Sequence, residues 1–283
     1  MRLAVLAMML AGPVWADVPR VVTDFGPVQS LVADVMGDLG QPAALLPKGG
    51  DPHDFQLRPS QAGLLAGADV VFWVGPELMP SLGDALATLA GQAQVVSLLH
   101  GSGHVRRFAD GGVDPHAWLD PANGAAWLAT IAETLAARDP VHAATYRANA
   151  KVAAAVLAAE DAAWSARLAG VRNRPFVVYH DALGYFTDHF GMKPTGAIEV
   201  GDAASPSAAQ LALIGGVIAA GQAVCVFSET GRDPKFIAAL TEGMPVRIGA
   251  ALDIEFIVLP PGRGQYPKVL GAVVDSLATC LTP

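Results

Sequence analysis

Arg20-Val21-Val22-Thr23-Asp24, followed by a helical stretch at 27–39, is the first of several strand-and-helix pairs along this chain. Its short apolar run is typical of a buried strand. The same succession returns at 69–74 with 76–90, and a third strand is predicted at 95–98. Strands that alternate with helices predict an α/β fold, in which a parallel sheet is covered by helices and loops at the carboxyl ends of the strands carry ligands.

A long alanine-rich stretch, 141–169, separates this half from a second alternating half, with a shorter helix predicted at 121–138 before it. The long stretch contains no glycine or proline, and a helix of its length spans about 43 Å. Its apolar stripe at helical spacing consists of Tyr146, Ala150, Ala153, Leu157, Trp164 and Leu168. We therefore predict an N-terminal βα lobe (17–139), a rigid linker helix (140–170) and a C-terminal βα lobe (171–283).

The second half repeats the pattern of the first. Strands are predicted at 176–179, 194–199, 223–227 and 246–248, and helices at 182–190, 205–220, 234–240 and 266–281. The helix at 205–220 is expected to begin at Ser205-Pro206, with serine as the cap and proline in the first turn.

The first 16 residues have the features of a secretory signal peptide. Arg2 precedes an apolar run at 3–10, and Val14-Trp15-Ala16 provides a small-residue cleavage site. No later stretch approaches the roughly 20 apolar residues that a membrane span needs. We expect a soluble, monomeric, periplasmic chain that begins at Asp17.

The charge balance is acidic. The chain has 18 basic and 26 acidic residues, a formal charge of −8 that becomes −9 when Arg2 leaves with the signal peptide. This balance argues against nucleic acid and anionic membranes as partners, and it favours a cationic ligand.

Three histidines follow apolar runs in matched settings. Asp51-Pro52-His53 returns as Asp114-Pro115-His116, and His180 is again followed by an aspartate. Three histidines at strand ends that converge would provide the nitrogen ligands that zinc prefers. The alternative is that each is an ordinary loop histidine, since Asp-Pro is a common turn opener.

Two further segments bear on a metal site. The glycine-rich loop at 100–112 contains His100 and His104, and we expect it to be a solvated loop that does not position ligands. The loop at 249–264 contains Asp253 and Glu255, either of which is an acceptable oxygen ligand.

The chain contains two cysteines, Cys225 and Cys280. Export to an oxidising compartment predicts a disulfide between them, and two buried free thiols are the alternative. Two cysteines are too few for a thiolate zinc site.

Four segments together resemble the metal-binding solute receptors of ABC importers, and most closely the zinc-specific ZnuA-like branch. They are Gly50-Asp-Pro-His-Asp-Phe-Gln-Leu-Arg-Pro-Ser-Gln61, Asp114-Pro-His-Ala-Trp-Leu-Asp-Pro121, Tyr179-His-Asp-Ala-Leu-Gly-Tyr-Phe186 and Leu252-Asp253. The resemblance covers essentially the whole mature chain, and the cysteines match the position of a disulfide in zinc-specific members.

The resemblance implies a metal site between the two lobes. Its ligands would be His53, His116, His180 and Asp253, with zinc as the cargo and a membrane permease as the partner. The chain departs from the family in its short loop before His116 and in the residues after Asp253, which leaves Glu255 or water as the alternative fourth ligand.

The leading hypothesis is therefore a zinc receptor that performs no chemistry. A zinc hydrolase with a water on three histidines is the first alternative, although the chain has no His-Glu-x-x-His run. Two others keep the fold but change the ligand to manganese or to an organic metal complex.

Overall fold

A computed structural model describes residues 18–101, 104–201 and 205–283. The signal peptide predicted at 1–16 lies outside this part of the chain. Within the described ranges, no helix combines the length and the apolar character needed to cross a bilayer.

The N-terminal lobe is built on a four-stranded parallel sheet with the order β2-β1-β3-β4. Its strands are β1 (Val21–Thr23), β2 (Ala43–Ala44), β3 (Val70–Trp73) and β4 (Gln94–Ser97). Its helices are α1 (Gly26–Met36), α2 (Pro59–Ala66), α3 (Pro80–Leu89), α4 (Leu98–Gly101) and α5 (Pro121–Arg138), with 3₁₀ turns at Gly37–Leu39 and Ala117–Leu119.

The C-terminal lobe repeats this topology, with the strand order β6-β5-β7-β8 and all strands parallel. The strands are β5 (Phe176–His180), β6 (Gly196–Glu199), β7 (Cys225–Glu229) and β8 (Arg247–Leu252). The helices are α7 (Gly184–Phe190), α8 (Ala208–Ala219), α9 (Lys235–Thr241) and α10 (Gln265–Leu281). In both sheets the first strand lies between the second and the third, so the strand order switches direction between the first and third strands. At such a point α/β proteins bind ligands, outside the carboxyl ends of the strands.

Helix α6 (Ala143–Leu168) joins the lobes and packs against α1, α5 and α10. Five of the six predicted stripe residues are buried, and Ala153 is half-buried. The largest hydrophobic core runs from the first sheet across α6 to β5 and α10. The lobes therefore share one core along the linker helix.

The predicted α/β class with two parallel-sheet lobes and a long helix is confirmed, but two helix starts were wrong. The helix predicted from Pro76 begins at Pro80, because Met79 precedes a proline and is kept out of the helical region. The helix predicted from Ser205 begins at Ala208, where Ser207 is the cap and accepts the N–H of Gln210.

The predicted disulfide is confirmed. Cys225 and Cys280 are bonded, with their Cα atoms 6.2 Å apart. The bond ties the first residue of β7 to the last turn of α10 across 55 residues of sequence. It therefore closes the C-terminal sheet against its last helix.

Candidate metal centre

The structure brings the three predicted histidines together from three separate elements. His53 lies in the loop between β2 and α2, and His116 lies directly before the 3₁₀ turn Ala117–Leu119. His180 is the last residue of β5, at the carboxyl end of the C-terminal sheet. Two histidines therefore come from the N-terminal lobe and one from the C-terminal lobe.

The three side chains offer nitrogen atoms that lie within 4.8 Å of one another. The ring centroids are 5.4 Å apart for His53 and His116, 5.6 Å for His53 and His180, and 4.9 Å for His116 and His180. All three side chains are almost wholly buried. A single cation between them would contact imidazole from both lobes.

The aspartate of each Asp-Pro-His motif organises its own histidine. Asp51 accepts the backbone N–H of His53 at 2.9 Å, and Asp114 accepts that of His116 at 3.0 Å. The same oxygen of Asp114 lies 2.8 Å from His116 Nδ1. A carboxylate at Nδ1 favours the tautomer that leaves Nε2 as the basic nitrogen, so His116 presents that atom to a metal.

Two buried glutamates lie against the histidines. Glu255 Oε1 is 3.8 Å from His53 Nε2, and Glu229 Oε2 is 3.5 Å from His180 Nδ1. Burial, with Glu229 and Asp51 nearby, raises the pKa of Glu255 to about 9. A cation bound beside Glu255 would favour its ionised form.

Arg232 balances part of this negative charge. Its Nη1 lies 3.0 Å from Asp51 Oδ2, and its Nε lies 3.4 Å from Glu229 Oε1. A third contact runs from Nη2 to Glu255 Oε1 at 3.9 Å. One arginine of the C-terminal lobe thus faces carboxylates from the N-terminal loop, from β7 and from the loop after β8.

Asp253, the predicted oxygen ligand, is hydrogen-bonded to the backbone of its own loop. Its carboxylate accepts the N–H groups of Ile257 at 2.8 Å and of Val258 at 3.0 Å. These bonds hold a turn in which Phe256 has a positive φ of 61°. Among the described residues, Glu255 is the carboxylate of this loop that lies close enough to His53 to share a metal ion with it. Asp51 belongs to the same group, whose ligand atoms lie within 4.8 Å of one another.

The histidines of the glycine-rich loop do not form a second pair. His100 Nε2 lies 2.7 Å from Glu77 Oε1, and the His104 ring faces Tyr185 at 5.9 Å. His189 binds Asp120 and Asp161 instead of joining the cluster.

Comparison with known proteins identifies the family of this chain. The family model described as "Zinc-uptake complex component A periplasmic" matches residues 21–280. This chain belongs to the ZnuA family. The predicted family resemblance is thereby confirmed.

Individual ZnuA-family relatives match over nearly their whole length. A protein of Paracoccus denitrificans named "High-affinity zinc uptake system protein ZnuA" is 46% identical over 305 residues, covering 95% of this chain and 94% of that protein. The laminin-binding adhesin of Streptococcus agalactiae (24% identity) and a cadmium-bound periplasmic metal-binding protein of Candidatus Liberibacter asiaticus (19%) both have a TM-score of 0.83. Each covers 93% of this chain and is itself covered completely, which shows a shared fold.

Sequence reasoning alone overlooked three residues around the site of this ZnuA-family chain: Glu229, Arg232 and Arg106. Glu229 could have been found, because it ends a strand, with one residue between it and the buried run Cys225–Phe227, as His180 ends β5. The two arginines lie in loops without a motif, and each also reaches a carboxylate of the other lobe, Asp188 for Arg106 and Asp51 for Arg232.

Proposed function

We propose that this protein is a periplasmic receptor that captures zinc and delivers it to the membrane permease of an ABC importer. The observation that carries the proposal is the cluster of three histidine nitrogens within 4.8 Å, drawn from both lobes. The names of the ZnuA-family relatives support zinc uptake as the process. The protein would act as a monomer and perform no chemistry.

The proposed ligands are His53, His116, His180 and one carboxylate. Glu255 is the favoured oxygen ligand because it lies beside His53, whereas Asp253 is bonded to the backbone of its own turn. Three nitrogens and one oxygen complete a tetrahedral zinc site. A closed site of this kind suits binding and release, whereas a catalytic zinc keeps a position open for water.

Manganese is the alternative cargo. Glu229 and Glu255 both lie near the histidines, and an oxygen-rich set suits manganese better than zinc. Three imidazoles favour zinc, because manganese binds nitrogen sites more weakly in the Irving–Williams order. Competitive titration of the chelator-treated protein with both metals decides between them. Tighter binding of manganese would overturn zinc as the cargo.

The proposed function is tested by measuring both the binding of zinc and its delivery to the permease. Zinc titration should saturate at one ion per chain, and the loaded protein should stimulate the ATPase activity of its permease in liposomes. The zinc-loaded protein should hydrolyse neither ester nor peptide substrates. Turnover of such substrates that depends on His53, His116 and His180 would favour the hydrolase instead.

A further inference from the structure

The loop that begins at His104 is fixed to both lobes, although its glycines indicate a mobile segment. At its start, His104 N–H donates to Asn123 Oδ1 on α5 at 2.7 Å. Two residues later, Arg106 N–H donates to the Tyr185 hydroxyl on α7 at 2.7 Å. A backbone bridge between Arg107 and Val113 then closes the loop. These contacts hold the described residues of the loop against both lobes.

The Arg106 side chain joins one carboxylate from each lobe. Its Nη1 lies 3.0 Å from Asp114 Oδ2, and its Nε lies 2.8 Å from Asp188 Oδ2 on α7. Asp114 is fully buried, so its charge needs a partner inside the protein. An arginine fork can hold two carboxylates in a fixed relative orientation, which a lysine cannot.

Asp114 connects Arg106 to His116, a proposed metal ligand. Oδ2 binds Arg106, while Oδ1 accepts from both the backbone and the Nδ1 of His116. The carboxylate can turn only by breaking one of these sets of bonds. The direction of the His116 ring therefore depends on the guanidinium of Arg106.

Helix α7 holds the same arrangement from the other side. The Tyr185 hydroxyl donates to the backbone oxygen of Asp114 at 3.0 Å. Gly184, the first residue of α7, lies against Arg106, and a Cβ at this position would collide with the guanidinium. Gly184 lies four positions after His180, the ligand proposed from the C-terminal lobe.

We propose that Arg106 is a positioning residue for the metal site, which fixes His116 through Asp114 and sets its placement relative to the C-terminal lobe through Asp188 and α7. This inference rests on the proposed function, because it takes His116 as a zinc ligand. Arg106 itself does not contact the metal. Loss of a group that orients a metal ligand typically lowers metal affinity 10- to 100-fold.

The first test compares Arg106→Gln with Arg107→Gln. Both variants remove one positive charge from the same loop, but Arg107 is exposed, and within the described residues its side chain bonds to the loop itself, at the Gly111 carbonyl. We expect Arg106→Gln to weaken zinc binding 10- to 100-fold in a chelator-competition titration and to change the absorption spectrum of the cobalt-substituted protein. Arg107→Gln should stay within twofold of the wild type. The zinc affinity of Arg106→Lys should lie between those of the two variants, since the ammonium group of lysine lacks the forked shape of the guanidinium.

A second variant displaces the arginine without removing its charge. Gly184→Ala keeps Arg106 and every other charged residue but separates the buried Asp114 from its partner, so the melting temperature of the metal-free protein should fall as it does in Arg106→Gln. The added methyl group should displace the guanidinium. We therefore expect a loss of zinc affinity similar to that of Arg106→Gln, with the same change in the cobalt spectrum.

Several outcomes would overturn the inference. In the first, Arg106→Gln keeps the zinc affinity and the cobalt spectrum of the wild type, while His116→Ala abolishes zinc binding. This result would reject the role of Arg106 but leave the proposed function intact. Equal losses in Arg106→Gln and Arg107→Gln would also reject that role, because the effect would then belong to the loop charge. Wild-type zinc binding by His116→Ala would instead reject the metal site itself.

Discussion

His189 on α7 is hydrogen-bonded to Asp120 at the start of α5, with 2.9 Å between Nδ1 and Oδ1, so a histidine of one lobe binds a carboxylate of the other. Its second ring nitrogen, Nε2, lies 2.8 Å from Asp161 Oδ1 on the linker helix α6. One imidazole thus connects both lobes and the helix between them. This connection is separate from the metal site.

The first prediction is a pH-dependent contribution of His189 to stability. The hydrogen bond with Asp120, followed by that with Asp161, raises the pKa of His189. The charged form therefore favours the folded state. This stabilisation is complete below the unfolded-state pKa of about 6.5 and is lost as the pH rises through the raised folded-state pKa.

His189→Asn should accordingly reduce the free energy of unfolding more at pH 5.5 than at pH 9. Urea unfolding of the chelator-treated protein at both values measures the difference. His104→Asn is the control, because His104 is exposed and its ring faces Tyr185. A penalty for His189→Asn that is equal at both pH values would show that the imidazole is not charged in this position.

The second prediction concerns the disulfide. Replacing Cys225 and Cys280 together by alanine opens a loop of 55 residues, for which chain entropy predicts a loss of about 4 kcal/mol. Zinc affinity should stay within threefold of the wild type, because Cys225 begins β7 whereas Glu229 ends it. Urea unfolding and zinc titration test the two statements. A folded variant with a tenfold loss of affinity would contradict the separation of the bond from the site.

Hydrophobic periodicity and sequence motifs were sufficient to predict the two-lobed α/β fold and its long linker helix. Buried apolar runs marked the central strands β1, β3, β5 and β7, and the stretch without glycine or proline marked α6, whereas the two-residue strand β2 was not predicted. The three histidines could be grouped by their matched sequence settings, but the prediction that they end strands holds only for His180, because His53 and His116 lie in loops. These are local patterns, and neighbouring residues in the chain determine them.

The remaining parts depend on contacts between distant segments. Glu255 approaches His53, while Asp253, two residues earlier, is bonded to a turn that needs a positive φ at Phe256. Arg106 reaches Asp188 across 82 positions of sequence, whereas the side chain of its neighbour Arg107 bonds to Gly111, four positions away in the same loop. No local pattern distinguishes the members of either pair.

The third prediction distinguishes the two candidate oxygen ligands. Glu255→Gln and Asp253→Asn each replace a carboxylate with an amide of nearly the same shape. We expect Glu255→Gln to weaken zinc binding at least tenfold, about 1.4 kcal/mol, with a small effect on stability. Asp253→Asn should keep its affinity within threefold but lower the melting temperature, because it weakens the bonds to Ile257 and Val258.

Both variants are prepared without metal and compared by zinc titration and by thermal unfolding. If this assignment is right, Glu255→Gln loses zinc affinity and Asp253→Asn loses thermal stability. The reverse pattern, with affinity lost in Asp253→Asn and kept in Glu255→Gln, would assign the oxygen ligand to Asp253. Loss in both would mean that the loop after β8 acts as one unit.

The last prediction concerns His180, the proposed ligand from the C-terminal lobe. His180→Ala should weaken zinc binding by 100-fold or more, about 3 kcal/mol, because it removes one nitrogen and the metal bond to β5. His180→Glu should weaken zinc but narrow the gap between zinc and manganese, since an added carboxylate suits manganese better than imidazole does. Titration of the wild type, both variants and the exposed control His104→Ala with each metal measures the two effects. If His180→Ala bound zinc as tightly as the wild type, the site would have no ligand on β5, and capture of the metal between the lobes would be wrong.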